Sequence, residues 1–310
     1  MSFLSATGIY LPEHVLPSKE LAQRLSVPAQ WIANVSGVLE RRVAGEDETV
    51  VSMGVRAAQD CLQNAGIQPS ELGAVLVSSG SHIRAFPGPA AEITAALGLR
   101  GTFALDVPVA SAGSIFAIAL ADTLARQYGN VLVISSEKMT SYAYREPLNR
   151  GVALLFGDGA GACLVRRDEG IARIEATVLH SDGAYVDDLW LNSSGEIQMR
   201  GRSVIVHSTE KVPGSIREVL DKTSTAIEDV AVFLMHQANL HLMHRVAKVL
   251  GVAESRFFSN IERYGNTSSA SLLIALHEWS QEKGFSRGVP VVLAGFGAGY
   301  HWGSALLRGC

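Results

Sequence analysis

Three polar residues, far apart in the 310-residue chain, stand where a nucleophile, a base and an amide donor would be placed. Ser111 lies in Val-Ala-Ser-Ala-Gly, between the strand-like FALDV (103–107) and the helix-like SIFAIALADTL (114–124). A serine at a strand-to-helix turn has two readings. Its oxygen can cap the helix by accepting an orphan backbone N–H. Alternatively, it is a nucleophile whose developing oxyanion meets the positive end of the helix. Val109 stands where a Gly-x-Ser-x-Gly elbow needs its first glycine, which disfavours an ordinary α/β-hydrolase. His236 closes the apolar run VFLM (232–235), a good position for a general base. Asn266, in RYGNTSSAS, reads as a helix cap by composition and could equally give its side-chain N–H to a carbonyl oxygen.

These residues need a frame. Short β-branched runs such as AVLVS (74–78), VLVIS (131–135) and VVLA (291–294) alternate with helical stretches over 48–64, 114–126 and 238–250. That alternation predicts an α/β layered fold. An internal repeat sharpens it. GAVLVSSGS (73–81) is echoed by VAVFLMHQAN (230–239), and LGLRGTFALDV (97–107) by LGVAESRFFSNI (250–261). VASAGSIFAIALADTL (109–124) is echoed by YGNTSSASLLIALHEW (264–279), and NVLVISSEK (130–138) by VPVVLAGFGAG (289–299). All four pairs are offset by about 155–160 residues, so the chain reads as two copies of a βαβα unit about a pseudo-twofold axis. The boundary falls between 1–165 and 166–310. In this reading Ser111 and Asn266 occupy equivalent helix starts, and His236 converges on them at strand C-terminal ends.

The glycine-rich segments FGDGAGA (156–162) and GFGAGYHWG (295–303) spell neither a phosphate loop nor GxGxxG, so close backbone approach is the better reading. The net charge of −4 gives no reason to expect nucleic acid or an anionic membrane. No apolar run is long enough to span a bilayer, and the N-terminal stretch lacks a signal-peptide pattern. Cys61, Cys163 and Cys310 form no zinc-spaced cluster, so no metal is expected. The first two read as buried thiols, consistent with a reducing cytoplasm.

VASAGS, NRGVALLFGDGAGA, HQANLHLMHRVAKVLG, RYGNTSSAS and GFGAGYHWGSALLR, in that order, resemble the signature blocks of β-ketoacyl-acyl-carrier-protein synthase III. GIYLPEHV and WIANVSGVLERRVAGEDETVVSMG extend the resemblance over essentially the whole chain. It implies the thiolase-like fold in five layers, a homodimer and a Cys-His-Asn site. His236 and Asn266 match that site, and Ser111 stands where the family has its cysteine. The resemblance further implies an oxyanion hole from the backbone N–H groups of Ser111 and Ala298, the latter replacing a family glycine. It places Trp31 and Arg150 on either side of the adenine of coenzyme A and Asn239 on the pantetheine arm. Phe86 would reach into the partner subunit's acyl pocket, and Arg245 and Lys248 would meet acyl carrier protein, with His241 where an arginine is expected. No cofactor is implied, the acyl-CoA being substrate. A serine hydroxyl is not made anionic by a helix dipole as a thiol is, so Ser111 would need His236 to take its proton during attack. The activity implied is loading of an acyl group on Ser111 and condensation with a malonyl thioester. The alternatives are a non-condensing acyltransferase or thioesterase, or a partner subunit or trapped variant.

Overall fold

The computed structural model describes residues 2–310. Nine strands make the central sheet: β1 (Phe3–Tyr10), β2 (Ala74–Ser78), β3 (Phe103–Val107), β4 (Val131–Lys138), β5 (Asp158–Arg166), β6 (Ala172–Ser181), β7 (Val232–Met235), β8 (Pro290–Gly297) and β9 (His301–Gly309). Their order is β7-β8-β9-β6-β1-β5-β4-β2-β3. The order is symmetric about the junction of β1 and β6. From β1 outward, pairing is antiparallel, antiparallel, parallel, parallel. From β6 outward it is antiparallel, antiparallel, parallel, ending in a parallel bridge between Phe233 and Phe257. Among the described residues, only the pairs Phe3–Arg173 and Leu4–Ala172 join the two sets.

The runs AVLVS, VFLM and PVVLAGFG are buried at every residue, because helices cover both faces of these strands. The five longest helices supply most of this cover: α1 (Val50–Ala65), α2 (Gly113–Tyr128), α3 (Gly201–Lys222), α4 (Leu240–Leu250) and α5 (Ala270–Glu282). Ile115 and Ile118 of α2 and Leu272 and Leu276 of α5 share one core with Leu76, Val133, Leu234 and Leu293, from strands of both halves. These two helices are therefore the middle layer. On the other face of the first half, Met53 and Cys61 of α1 pack on Val75, Val77 and Ile134. On the other face of the second, Ile216 of α3 and Val246 of α4 pack on Phe233 and Val292. The result is five layers, α1, strands, α2 with α5, strands, α3 with α4.

Helix ends follow local chemistry. Thr49 and Ser52 form a capping box on α1, and Gly66 closes it in the left-handed region at φ 66°. Asn239 caps α4, and Gly251 ends it at φ 76°. FGDGAGA is not a loop from residue 158 onward; it is the start of β5. Its glycines do serve close approach: a Cβ on Gly161 would stand 2.6 Å from Leu273 Cβ on α5.

Candidate functional site

The two middle-layer helices begin side by side, each after a strained turn. Ser111 has φ 64° and Ser268 has φ 48°, conformations that cost a non-glycine residue on the order of 1–3 kcal/mol. They are 157 residues apart, as are the first residues of α2 and α5, Gly113 and Ala270. The partner of Ser111 in the repeat is therefore Ser268, which corrects the pairing with Asn266; matching helix starts rather than polar turns would have found it. Ser111 is not the helix cap. Ala112 holds that place without a side-chain bond. The two serines touch: Ser111 N–H donates to Ser268 Oγ at 3.1 Å, and the two hydroxyl oxygens lie 3.4 Å apart.

Ser111 lines two apolar cavities, a position it shares with Phe156 and Leu189. One is also lined by Met139, Tyr142, Trp190, Leu191, Ser268 and Ala298. The other is also lined by His236, Asn239, Asn266, Phe296 and Ile205. Thus the structure brings together Ser111, His236 and Asn266 on one cavity, with Ala298 across the other. No hydrogen bond joins Ser111 to His236.

His236 is fully buried at the end of β7, its ring edge-on to Phe296 at 5.4 Å. Burial pushes its pKa down to about 3, against a smaller opposing pull from the Ser268 carbonyl, so the imidazole is neutral at physiological pH. Its Nδ1 lies 2.6 Å from Ser271 Oγ. Asn266 does not cap α5 either, since Ser269 does. Its Oδ1 accepts from the Ser268 N–H at 2.8 Å, which turns the amide nitrogen toward Ala238 O, 3.5 Å away, and the cavity. Gly297 has no room for a side chain. A Cβ there would lie 1.9 Å from the Ala110 carbonyl oxygen and 2.8 Å from the Ala112 nitrogen. The β8–β9 turn, with Ala298, is thereby pressed against the nucleophile turn.

Glu137, which no motif or spacing marks, is fully buried behind this site. It accepts from Ser269 Oγ at 2.6 Å, Ser269 N at 3.2 Å, Gly80 N at 3.0 Å and Ser81 Oγ at 2.5 Å. Its donors come from both halves, which ties the α5 start to the loop after β2.

The remaining residues lie around the rim. Trp31 is half-buried in the helix Trp31–Ser36 and packs on a cluster containing Ile32, Ala153 and Leu154. Arg150 is exposed at the start of the helix Arg150–Ala153, beside that cluster. Neither lines a cavity wall around Ser111. Asn239 does, but its Oδ1 caps α4 and its Nδ2 donates to Val35 O at 2.9 Å. That bond fixes the helix bearing Trp31 against α4. Arg245 and Lys248 are exposed one turn apart on α4, whereas the His241 ring is held at Asn34 O, 2.8 Å away. Phe86 lines neither cavity and is 86% exposed, as is Ile83 at 85%.

Two family models match, 3-oxoacyl-[acyl-carrier-protein] synthase III over residues 105–183 and its C-terminal counterpart over 220–309. The β-ketoacyl-[acyl-carrier-protein] synthase III of Aquifex aeolicus is 36% identical over 304 residues, covering 97% of each protein. This chain belongs to the β-ketoacyl-acyl-carrier-protein synthase III family. The Wolbachia pipientis (Culex pipiens) synthase III is 33% identical over 99% of each chain. The crystal structure of the Aquifex synthase III superposes with a TM-score of 0.95 at 34% identity, covering 99% of this chain and 100% of that one. The priming β-ketosynthase of the R1128 polyketide pathway gives 0.91 at 30%, over 100% and 96%. The fold is accordingly the thiolase-like fold of the synthase III family, and the chain is an acyl-transferring enzyme.

Proposed function

We propose that the chain takes an acyl group from acyl-CoA onto Ser111 as an oxygen ester and condenses it with a malonyl thioester carried on acyl carrier protein. The observation that carries this reading is the position of Ser111, in a strained turn between two apolar cavities, one of which also holds His236 and Asn266. One cavity suits an acyl chain and the other a pantetheine arm. As Ser111 Oγ attacks the thioester carbonyl, His236 takes its proton, the carbon–sulfur bond breaks, and the thiolate leaves with that proton. Charge on the carbonyl oxygen is met by the Asn266 amide and by the N–H groups of Ala298 and Ser111, the latter released from Ser268 Oγ. Protonating so deeply buried an imidazole is costly in isolation. The oxyanion formed in the same step supplies the compensating charge.

In this reading Trp31 and Arg150 hold the adenine end of coenzyme A at the rim, and Asn239 borders the pantetheine path. Arg245 and Lys248 receive acyl carrier protein. The protein acts as a homodimer. The exposed Phe86 and Ile83 and the unpaired outer edge of β3, with Leu105 also exposed, favour a second copy as their cover. A second reading, transfer or hydrolysis without condensation, is favoured by the oxygen of Ser111 itself. An ester resists carbanion attack more than a thioester does, whereas water, hydroxyls and amines are less affected.

The test is incubation with acyl-CoA, peptide mass spectrometry, and then addition of malonyl-acyl carrier protein. Acylation of the Ser111 peptide followed by carbon dioxide release is the expected result. Absence of label under single-turnover conditions would sink both readings. Label without carbon dioxide would leave only the second.

A further inference from the structure

Ser271 is one turn into α5, 2% exposed, and does not border either cavity around Ser111. Its hydroxyl has three polar neighbours. The Gln237 backbone N–H lies 3.1 Å away and can only donate. The Ser268 carbonyl lies 2.9 Å away and can only accept. His236 Nδ1 lies 2.6 Å away and does either, according to its tautomer.

A serine hydroxyl has one proton and two acceptor sites. If that proton pointed to His236 Nδ1, Ser271 Oγ and Ser268 O would face each other at 2.9 Å with no proton between them. If it points to Ser268 O, Oγ is left to accept from Gln237 N–H and from a protonated Nδ1. Every short contact then contains one proton, and all three capacities of the hydroxyl are used.

The geometry points to Ser271 as the positioning residue that fixes the proton of neutral His236 on Nδ1, so that Nε2 presents a bare lone pair to the cavity. Asn266 complements this. Its Oδ1 is held by Ser268 N–H, so its amide nitrogen is the donor on the same wall. The two side chains divide the work: His236 accepts a proton and Asn266 donates a hydrogen bond. A hydroxyl nucleophile needs such an acceptor, because it must lose its proton as it attacks. During acylation the Ser111 proton passes to Nε2, giving an imidazolium that keeps its Nδ1–H on Ser271. Nε2–H then protonates the departing thiolate, and the resting tautomer returns. In a later condensation the enolate oxygen is left with Asn266 as its side-chain donor. The inference rests on the reading that Ser111 is acylated, but the tautomer itself does not.

The two are tested separately. Long-range nitrogen–proton NMR of histidine-labelled protein reads the tautomer without substrate, the His236 signals being assigned by their loss in His236→Gln. The expected pattern is Nδ1 protonated and Nε2 bare. An Nε2–H pattern in the folded wild type overturns the inference even where Ser111 is acylated. Ser271→Ala is expected to let Nε2–H signal grow in and to slow single-turnover acylation at least tenfold, and Ser271→Thr to restore both. Ser271→Cys, close in volume but a weak acceptor, replaces Ser271→Ala where the latter does not fold. Acylation within twofold of wild type, with the Nδ1–H pattern unchanged in either variant, overturns the role of Ser271.

Discussion

Gly297→Ala tests whether the β8–β9 turn truly lies against the nucleophile. Gly297 does not have a positive φ, so the obstacle to a side chain is purely one of space. The added methyl carbon would stand 1.9 Å from Ala110 O, where a carbon–oxygen contact needs about 3.3 Å. Neither neighbour can rotate away, because both are backbone atoms flanking Ser111. One of the two turns must therefore move by about 1.4 Å. Overpacking of this kind costs about 1–3 kcal/mol, which for a chain of 310 residues lowers the melting temperature by roughly 1.5–5 °C. The larger effect is on chemistry. A displacement near 1 Å at a reacting group costs about a hundredfold in rate. The assay is single-turnover acylation followed by intact-protein mass spectrometry, alongside a thermal melt. Gly214→Ala is the control: Gly214 is exposed inside α3 with nothing within 4 Å of its Cβ position. It should stabilise by up to about 1 kcal/mol and leave acylation unchanged. Wild-type acylation and melting in Gly297→Ala would refute the close approach of these turns.

Other expectations are simpler. Since burial holds His236 near pKa 3, the acylation rate should show no inflection around pH 6.5, and a clear limb there in a pH profile would mean a solvated imidazole. The same shift links to stability. Unfolded protein binds this proton below about pH 6.5 and folded protein does not, so His236 works against folding as the pH falls from about 6.5 toward about 3. Asp158, raised to about 6 chiefly by burial, acts in the opposite sense, its stabilising contribution growing as the pH falls from about 6 to 3.8. Urea titrations of His236→Gln and wild type at pH 7 and pH 5 should therefore show a smaller acid loss in the variant. Burial raises both the Cys61 and the Cys163 thiol pKa, the latter to about 12, so one thiol of three should react with a disulfide reagent in the native state and all three after unfolding. Phe86→Asp should shift sedimentation from dimer to monomer at micromolar concentration, whereas a monomeric wild type would remove the dimer from the reading.

Much of this arrangement is written locally. The strand AVLVS (74–78) is bounded as the pattern predicts, and the helix over 114–126 extends only to Gly113 and Tyr128. Buried runs and helix periods depend on near neighbours, which is why they are legible. The antiparallel strands β5 and β9 were hidden by glycines. Gly159, Gly161 and Gly303 look like loop residues, yet they are chosen for what packs on them from a distant part of the chain. The catalytic candidates were legible as residue types at turns. Their supports, Ser268, Ser271 and Glu137, were not, because serines and a glutamate are common and only the tertiary fold turns these inward. The coenzyme A and carrier-protein residues came through family resemblance alone; nothing in their spacing marks them.

The turns at Ser111 and Ser268 face each other. A duplication leaves two elbows of nearly the same backbone shape, φ 64° and 48°, and the chain has become asymmetric in its side-chain chemistry while keeping that shape in both. Ser268 already borders the same apolar cavity as Ser111. The second elbow thus already carries a hydroxyl 3.4 Å from the first, so each half of the molecule brings a serine to one apolar space.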